Sequence, residues 1–124
     1  MILQNSILKI NDNSGAKKAR CIKVLKNKKV AKIGDFILVS IISIRSGQKK
    51  IQFKKGDIYL ALLIRSIKIL PSKTGISTKF KVNSICLLNK QKKLLSTRIY
   101  GPIPKILKKK KLLKLATLSF SGFF

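Results

Sequence analysis

Glutamate, histidine and tryptophan are absent from this chain, and its only side-chain carboxylates are Asp12, Asp35 and Asp57. Without His or Glu the usual general bases are missing, and a serine nucleophile has no imidazole to activate it. Two of the three aspartates follow glycine in strand-opening turns, so turn formation is the expected role for them and catalysis is not expected. The two cysteines, Cys21 and Cys86, form no Cys-x-x-Cys pair. With no histidine to complete a ligand set, no zinc site is expected, and no other metal or cofactor. Both thiols are expected to be reduced and buried as small hydrophobes. The glycines match neither standard phosphate-loop spacing. Aromatics make up 6% of residues and form no base-stacking platform, which argues against a single-strand reader. The longest uncharged runs, residues 36–44 and 115–124, fall far short of the roughly 20 residues of a membrane-spanning helix.

What the chain has in excess is positive charge. Lys and Arg number 29 against 3 acidic residues, a formal charge of +26 over 124 residues. Self-repulsion on that scale points to a permanent polyanionic partner: nucleic acid first, an anionic membrane surface second. The membrane alternative rests on the cationic and apolar segment 105–124. It leaves the charge on the rest of the chain without a role, so no membrane partner is expected. Lys outnumbers Arg by 25 to 4, and Ile, Leu, Asn and Phe are abundant. That bias suits an AT-rich coding sequence of the organellar kind, and the first six residues show no Arg-rich leader or signal peptide. The expected location is a mitochondrion, with a plastid as the alternative.

The length indicates a single domain, residues 1–124. Residues 34–68 organise it. Gly34-Asp35 and Gly56-Asp57 each open an apolar run, 36–44 and 58–64, rich in β-branched and aromatic residues. Both runs are expected to be largely buried strands, joined by a basic connector, 45–55, that projects as a ribbon. Further strands are expected over residues 2–10, 16–25 and 79–88, with Phe36, Tyr59 and Phe80 in the core. Asn11-Asp12-Asn13-Ser14-Gly15 is a dense turn cluster, and residues 69–78, with Pro71 and Gly75, are expected to be a loop. After Pro104 the apolar spacing changes to fit one or two short helical segments over 104–118. The expected fold class is all-β: a small five-stranded β-barrel with a short helical C-terminal part.

Phosphate contact is the chemistry left to such a surface. Lys serves phosphate as a point charge, and the four arginines can form bidentate pairs or stack on bases. The residues expected to contact RNA are Lys17, Lys18, Arg20, Arg45, Lys49, Lys50, Lys54, Lys55, Arg65, Lys68, Lys73 and Arg98. Arg65 and Arg98 are the expected stacking or bidentate contacts. The composition favours recognition of a folded RNA by shape and phosphate.

The residues resemble one family, the universal large-subunit ribosomal protein L-fourteen family. Asn11-Asp12-Asn13-Ser14-Gly15-Ala16 is similar to its first loop and Cys21-Ile22-Lys23-Val24-Leu25 to its second strand. Gly34-Asp35, Lys54-Lys55-Gly56-Asp57 and Ala61-Leu62-Leu63-Ile64-Arg65 are similar to its central pair. Phe80-x-x-Asn83, Leu87-Leu88-Asn89 and Thr97-Arg98-Ile99-Tyr100-Gly101-Pro102 complete the series in order. The resemblance implies a five-stranded barrel that binds large-subunit rRNA. It also implies a place at the subunit interface, where the family contributes to intersubunit bridges through small-subunit rRNA. Neighbours of the L-three and L-nineteen families are implied as well. A ribosome-silencing factor would dock near Thr97, Arg98 and Lys114. With Lys108, Lys109, Lys110 and Lys111, these three make up the expected bridge or protein interface.

The chain departs from the family pattern at Thr74-Gly75, at Lys81 after Phe80, at Ile106 and Lys109, and in its ending Phe120-Ser121-Gly122-Phe123-Phe124. Most of these departures raise the charge. They bear on the silencing-factor surface and the protein neighbours more than on RNA binding. The function expected is a structural constituent of a mitochondrial large ribosomal subunit. The alternatives are a free-standing RNA-binding barrel, such as an RNA chaperone or initiation-type factor, and a small basic nuclease dependent on Asp12 or Asp57.

Overall fold

The fold was determined from a computed structural model that describes residues 1–27, 29–47, 53–109 and 114–119. Five strands close into a barrel: β1 (Ile7–Ile10), β2 (Ala16–Val24), β3 (Phe36–Ile44), β4 (Ile58–Arg65) and, last in the chain, β7 (Ser84–Leu88). Neighbours run antiparallel except where β7 meets β1 in parallel and shuts the barrel. Between β4 and β7 the chain makes a small excursion, a two-stranded ladder of β5 (Leu70–Pro71) and β6 (Ser77–Thr78). Two short helices follow, α1 (Ile106–Lys109) and α2 (Lys114–Leu118). The all-β barrel with a helical C-terminal part is the architecture the sequence leads one to expect.

Two apolar layers account for the residue choices. The barrel interior holds Leu8, Ile10, Cys21, Ile37, Val39, Ile41, Leu63, Ile85 and Leu87, with Ala16, Ala19 and Ala61 among them. The alanines suit a barrel of only five strands, whose interior has little room. The second layer lies outside it. Leu62, Ile64, Cys86 and Leu88 project outward from β4 and β7 and are covered by Ile99, Ile103, Leu107 and Leu115. Hence β4 and β7 are apolar at successive positions, while β2, with one face on solvent, is not. Each fully buried Leu or Ile contributes about 1.5–3 kcal/mol, so the C-terminal segment is a structural part of the barrel. β3 is less enclosed than a continuous apolar run suggests: its outward residues Leu38, Ser40 and Ile42 stay half-buried.

The two Gly-Asp openings are one turn used twice. Asp35 N–H donates to the Lys32 carbonyl at 3.0 Å, and a carboxylate oxygen of Asp35 accepts from Lys32 N–H at 2.9 Å. Asp57 and Lys54 repeat both bonds at 3.3 and 3.0 Å. The intervening Gly34 and Gly56 sit at φ 83° and 87°, in the left-handed region that glycine enters without a Cβ penalty. Asp12 is fully buried and also serves a turn: one carboxylate oxygen accepts from Ser14 N–H at 3.0 Å, the other from Leu87 N–H at 3.0 Å.

Several boundaries differ from the expectation. Residues 2–10 are not one strand: Ile2 bridges Ala31, the chain turns through Asn5 at φ 66°, and β1 begins only at Ile7. Residues 69–78 are not a plain loop, since β5 and β6 pair within them. The last barrel strand starts at Ser84 rather than at 79. Lys9 N–H bonds the Asn83 carbonyl at 3.1 Å, and the Asn83 side chain accepts from Ile67 N–H at 2.9 Å, so pairing starts there. Phe80 therefore lies ahead of the strand and belongs to neither apolar layer, while Phe36 and Tyr59 are half-buried and pack against them. Residues 48–52 of the projecting ribbon lie outside the described residues.

Candidate nucleic-acid interface

The cations of β2 owe their placement to irregular pairing. Register shifts occur at Ala16/Lys18, Lys18/Ala19 and Cys21/Lys23 where β2 meets β3. An extra residue at a β-bulge breaks strict alternation. Lys17 and Lys18 accordingly both face solvent, Arg20 follows, and Lys23 comes after the second irregularity. Across the ladder Lys9 of β1 lies directly opposite Lys18, and it too is exposed. At roughly 3.3 Å per residue, the exposed cations of β2 extend over about 20 Å. This line of charge suits a polymer backbone better than a single small anion.

The three side-chain carboxylates serve turns. Asp12, Asp35 and Asp57 each accept main-chain N–H bonds in the turns described above. Opposite like charges in a ladder repel, and Lys9 and Lys18 are such a pair. Sequence reasoning expected Lys17, Lys18 and Arg20 but not Lys9 or Lys23. Only the cross-strand register brings those two into the set.

A second cationic group stands at one end of the barrel. The Asn13 side chain accepts from Thr97 N–H at 3.0 Å and Arg98 N–H at 3.2 Å, and it donates to Thr97 Oγ1 at 2.7 Å. Thr97 and Arg98 are exposed and held by this bracket. Next to them the Arg45 guanidinium carbon lies 5.8 Å from the centroid of the Tyr100 ring. Arg65 departs from its expected role. It is 8% exposed, and its guanidinium donates from Nε to the Pro102 carbonyl at 2.8 Å and from Nη2 to the Tyr100 carbonyl. Burial depresses its pKa from the ordinary arginine value. In this chain Arg65 clamps the segment that carries Arg98 and does not reach the surface.

The remaining expected contacts are spread out. Lys54 and Lys55 are exposed in the turn before β4, and Lys73 is exposed in the turn between β5 and β6. Lys68 is exposed, with its ammonium 3.7 Å from Met1 Sδ. The neighbouring N-terminal amine has a lowered pKa, from burial first and then from Lys68. Thr97 and Lys114 line one apolar groove of about 670 Å³ with Phe36, Leu94 and Leu118. Lys108 is exposed on α1, and Lys109 belongs to α1 through its main chain. Lys49, Lys50, Lys110 and Lys111 lie outside the described residues.

Among the described residues no group of three or more His, Cys, Asp or Glu could hold a metal ion. No described helix is long and apolar enough to cross a membrane. Cys21 and Cys86 are both buried and reduced, and burial pushes both thiols up in pKa, with Asp12 adding to the effect at Cys86. Taken together, the geometry offers extended cationic contact to a phosphate backbone on an otherwise closed apolar barrel. One family model, Ribosomal protein L14p/L23e, matches residues 1–121.

Proposed function

Because the chain belongs to the Ribosomal protein L14p/L23e family, we propose that its bulged β1–β2 face carries the main contact with large-subunit rRNA in a mitochondrial ribosome. Membership makes it a structural constituent of the large ribosomal subunit, one that binds rRNA and ribosomal proteins. The observation that carries the assignment to this face is the row Lys9, Lys17, Lys18, Arg20 and Lys23, exposed together while the three carboxylates bond main-chain amides in turns. Lys54, Lys55, Lys68 and Lys73 supply further phosphate contacts at the turns. The composition supports the organellar location, with a plastid ribosome as the alternative.

The exposed pair Thr97 and Arg98, with Lys108, Lys109, Lys110, Lys111 and Lys114, forms the side facing the small subunit. There it contributes to an intersubunit bridge and offers a silencing factor its surface. Neighbours of the L-three and L-nineteen families complete the surroundings. These finer roles rest on the family resemblance and on Thr97 and Lys114 sharing one groove.

The test is high-salt gradient fractionation of purified mitochondria, following the chain by mass spectrometry. Co-sedimentation with the large subunit is expected. Recovery only as a slow, RNA-free species would favour the free-standing RNA-binding barrel.

A further inference from the structure

Tyr100 is the one exposed aromatic residue among those described. Phe36 and Tyr59 are half-buried against the apolar layers, Phe53 is buried edge-on to Tyr59 at 5.0 Å, and Phe80 is half-buried. Tyr100, by contrast, is 45% exposed. Its main chain is nonetheless held at both polar atoms. The N–H donates to the Asn11 carbonyl at 2.9 Å, and the carbonyl accepts from the buried Arg65 guanidinium.

The next residue, Gly101, is at φ 84° with Arg65 packed where a side chain would stand. The ring thus stands in solvent on a main chain held at both of its polar atoms.

The surroundings of the ring indicate what it meets. Arg45 lies over it at 5.8 Å, and Arg45 is itself fixed by its N–H bond to the Gly15 carbonyl at 2.8 Å. Exposed Arg98 stands two residues away, bracketed by Asn13. A π face, a guanidinium plane and a further cation at one rigid edge match the parts of one unpaired nucleotide. The base stacks on the aromatic or arginine plane, and the phosphate meets the cation.

Duplex RNA cannot use this arrangement, because its bases are already stacked. The outward face of β2 carries no aromatic residue, so it contacts backbone alone. We propose that Tyr100 and Arg45 form a stacking site for a single unpaired RNA base, with Arg98 on that nucleotide's phosphate. The proposal rests on the RNA-binding reading above and adds to it a site of different chemistry, one that charge alone does not supply.

The full chain would be tested against two RNAs of equal phosphate number, a stem–loop with an unpaired 5-iodouridine loop and a continuous duplex. On irradiation the loop is expected to cross-link to Tyr100, mapped by mass spectrometry. Tyr100→Leu should weaken stem–loop binding about 5- to 150-fold, the range open to base–aromatic stacking, and leave duplex binding within about twofold. Tyr100→Phe keeps the ring and should retain binding to both. Cross-links that avoid Tyr100 would overturn the proposal. So would a Tyr100→Leu chain that loses both RNAs equally or neither. Failure of the unsubstituted chain to bind even the duplex at low salt is a separate result, which would remove the RNA reading beneath it.

Discussion

A side chain at position 101 would place its Cβ 2.6 Å from Nη2 of Arg65, so the Arg65 clamp and the glycine at 101 require each other. The guanidinium occupies the space a side chain would need, and it bonds the carbonyls on either side of that glycine. Arg65→Lys keeps the charge but loses the planar fork. It should lower unfolding free energy by about 2–3 kcal/mol, the scale of hydrogen bonds from a charged group. Urea titration in high salt would read this, and an unchanged midpoint would refute the clamp. Gly101→Ala should be destabilising for the same reason, with strain at φ 84° added.

Asp12 joins the first loop to β7. Asp12→Ala leaves the buried Leu87 N–H without its acceptor, which should reduce stability by about 2–3 kcal/mol. Asp12→Asn retains one acceptor oxygen but turns an N–H group toward the other donor, so a loss of about 1–2 kcal/mol is expected. Equal losses for Ala and Asn would mean the carboxylate's two acceptor bonds are not the source. Thermal unfolding of the three chains side by side decides it.

Cys86 predicts an alkaline weakness. Its thiol pKa is raised above the ordinary 9.0 by burial first, then by Asp12. Above pH 9 the unfolded chain therefore releases a proton that the native chain keeps. Protons bound are fewer in the unfolded state, so stability falls as pH rises, by up to about 1.4 kcal/mol per pH unit for this group. Below about pH 8 this group should contribute almost no slope. Cys86→Ala should flatten the decline above pH 9, and an unaltered decline would assign it to other groups. In the native chain both thiols should resist alkylation until denaturant is added.

Lys9 and Lys18 face each other across β1 and β2, and this pair separates stability from binding. Lys18→Glu replaces repulsion by attraction and should stabilise the RNA-free protein by about 0.2–1 kcal/mol. The same change should weaken rRNA binding and reduce the log–log salt slope by about 0.7–0.9 for each phosphate that is no longer neutralised. Lys23→Ala should lower the slope without the stabilisation. If Lys18→Glu left RNA affinity unchanged at low salt, the β1–β2 face would not be the contact surface.

The barrel was legible because its signals are local. Gly-Asp at 34–35 and 56–57 marks turns whose carboxylates bond their own backbone, and the apolar runs after them fill a core. The second apolar layer was harder to read. Leu62, Ile64, Cys86 and Leu88 look like any buried strand residues until Ile99, Ile103, Leu107 and Leu115 are seen to cover them. Phe80 was misplaced for the opposite reason: its spacing fits a strand, but among the described residues no partner strand reaches it.

Residue order alone determined the class of protein, the polyanionic partner and the two Gly-Asp turns, because charge and backbone preference need no distant contact. Tertiary structure decided which cations act together. Register set Lys9 beside Lys18, bulges turned Lys17 outward, and burial withdrew Arg65 from the surface while leaving Tyr100 on it. Those outcomes depend on pairing and packing, between adjacent strands for Lys9 and Lys18 and across more than thirty residues for Arg65 and the 100–102 segment.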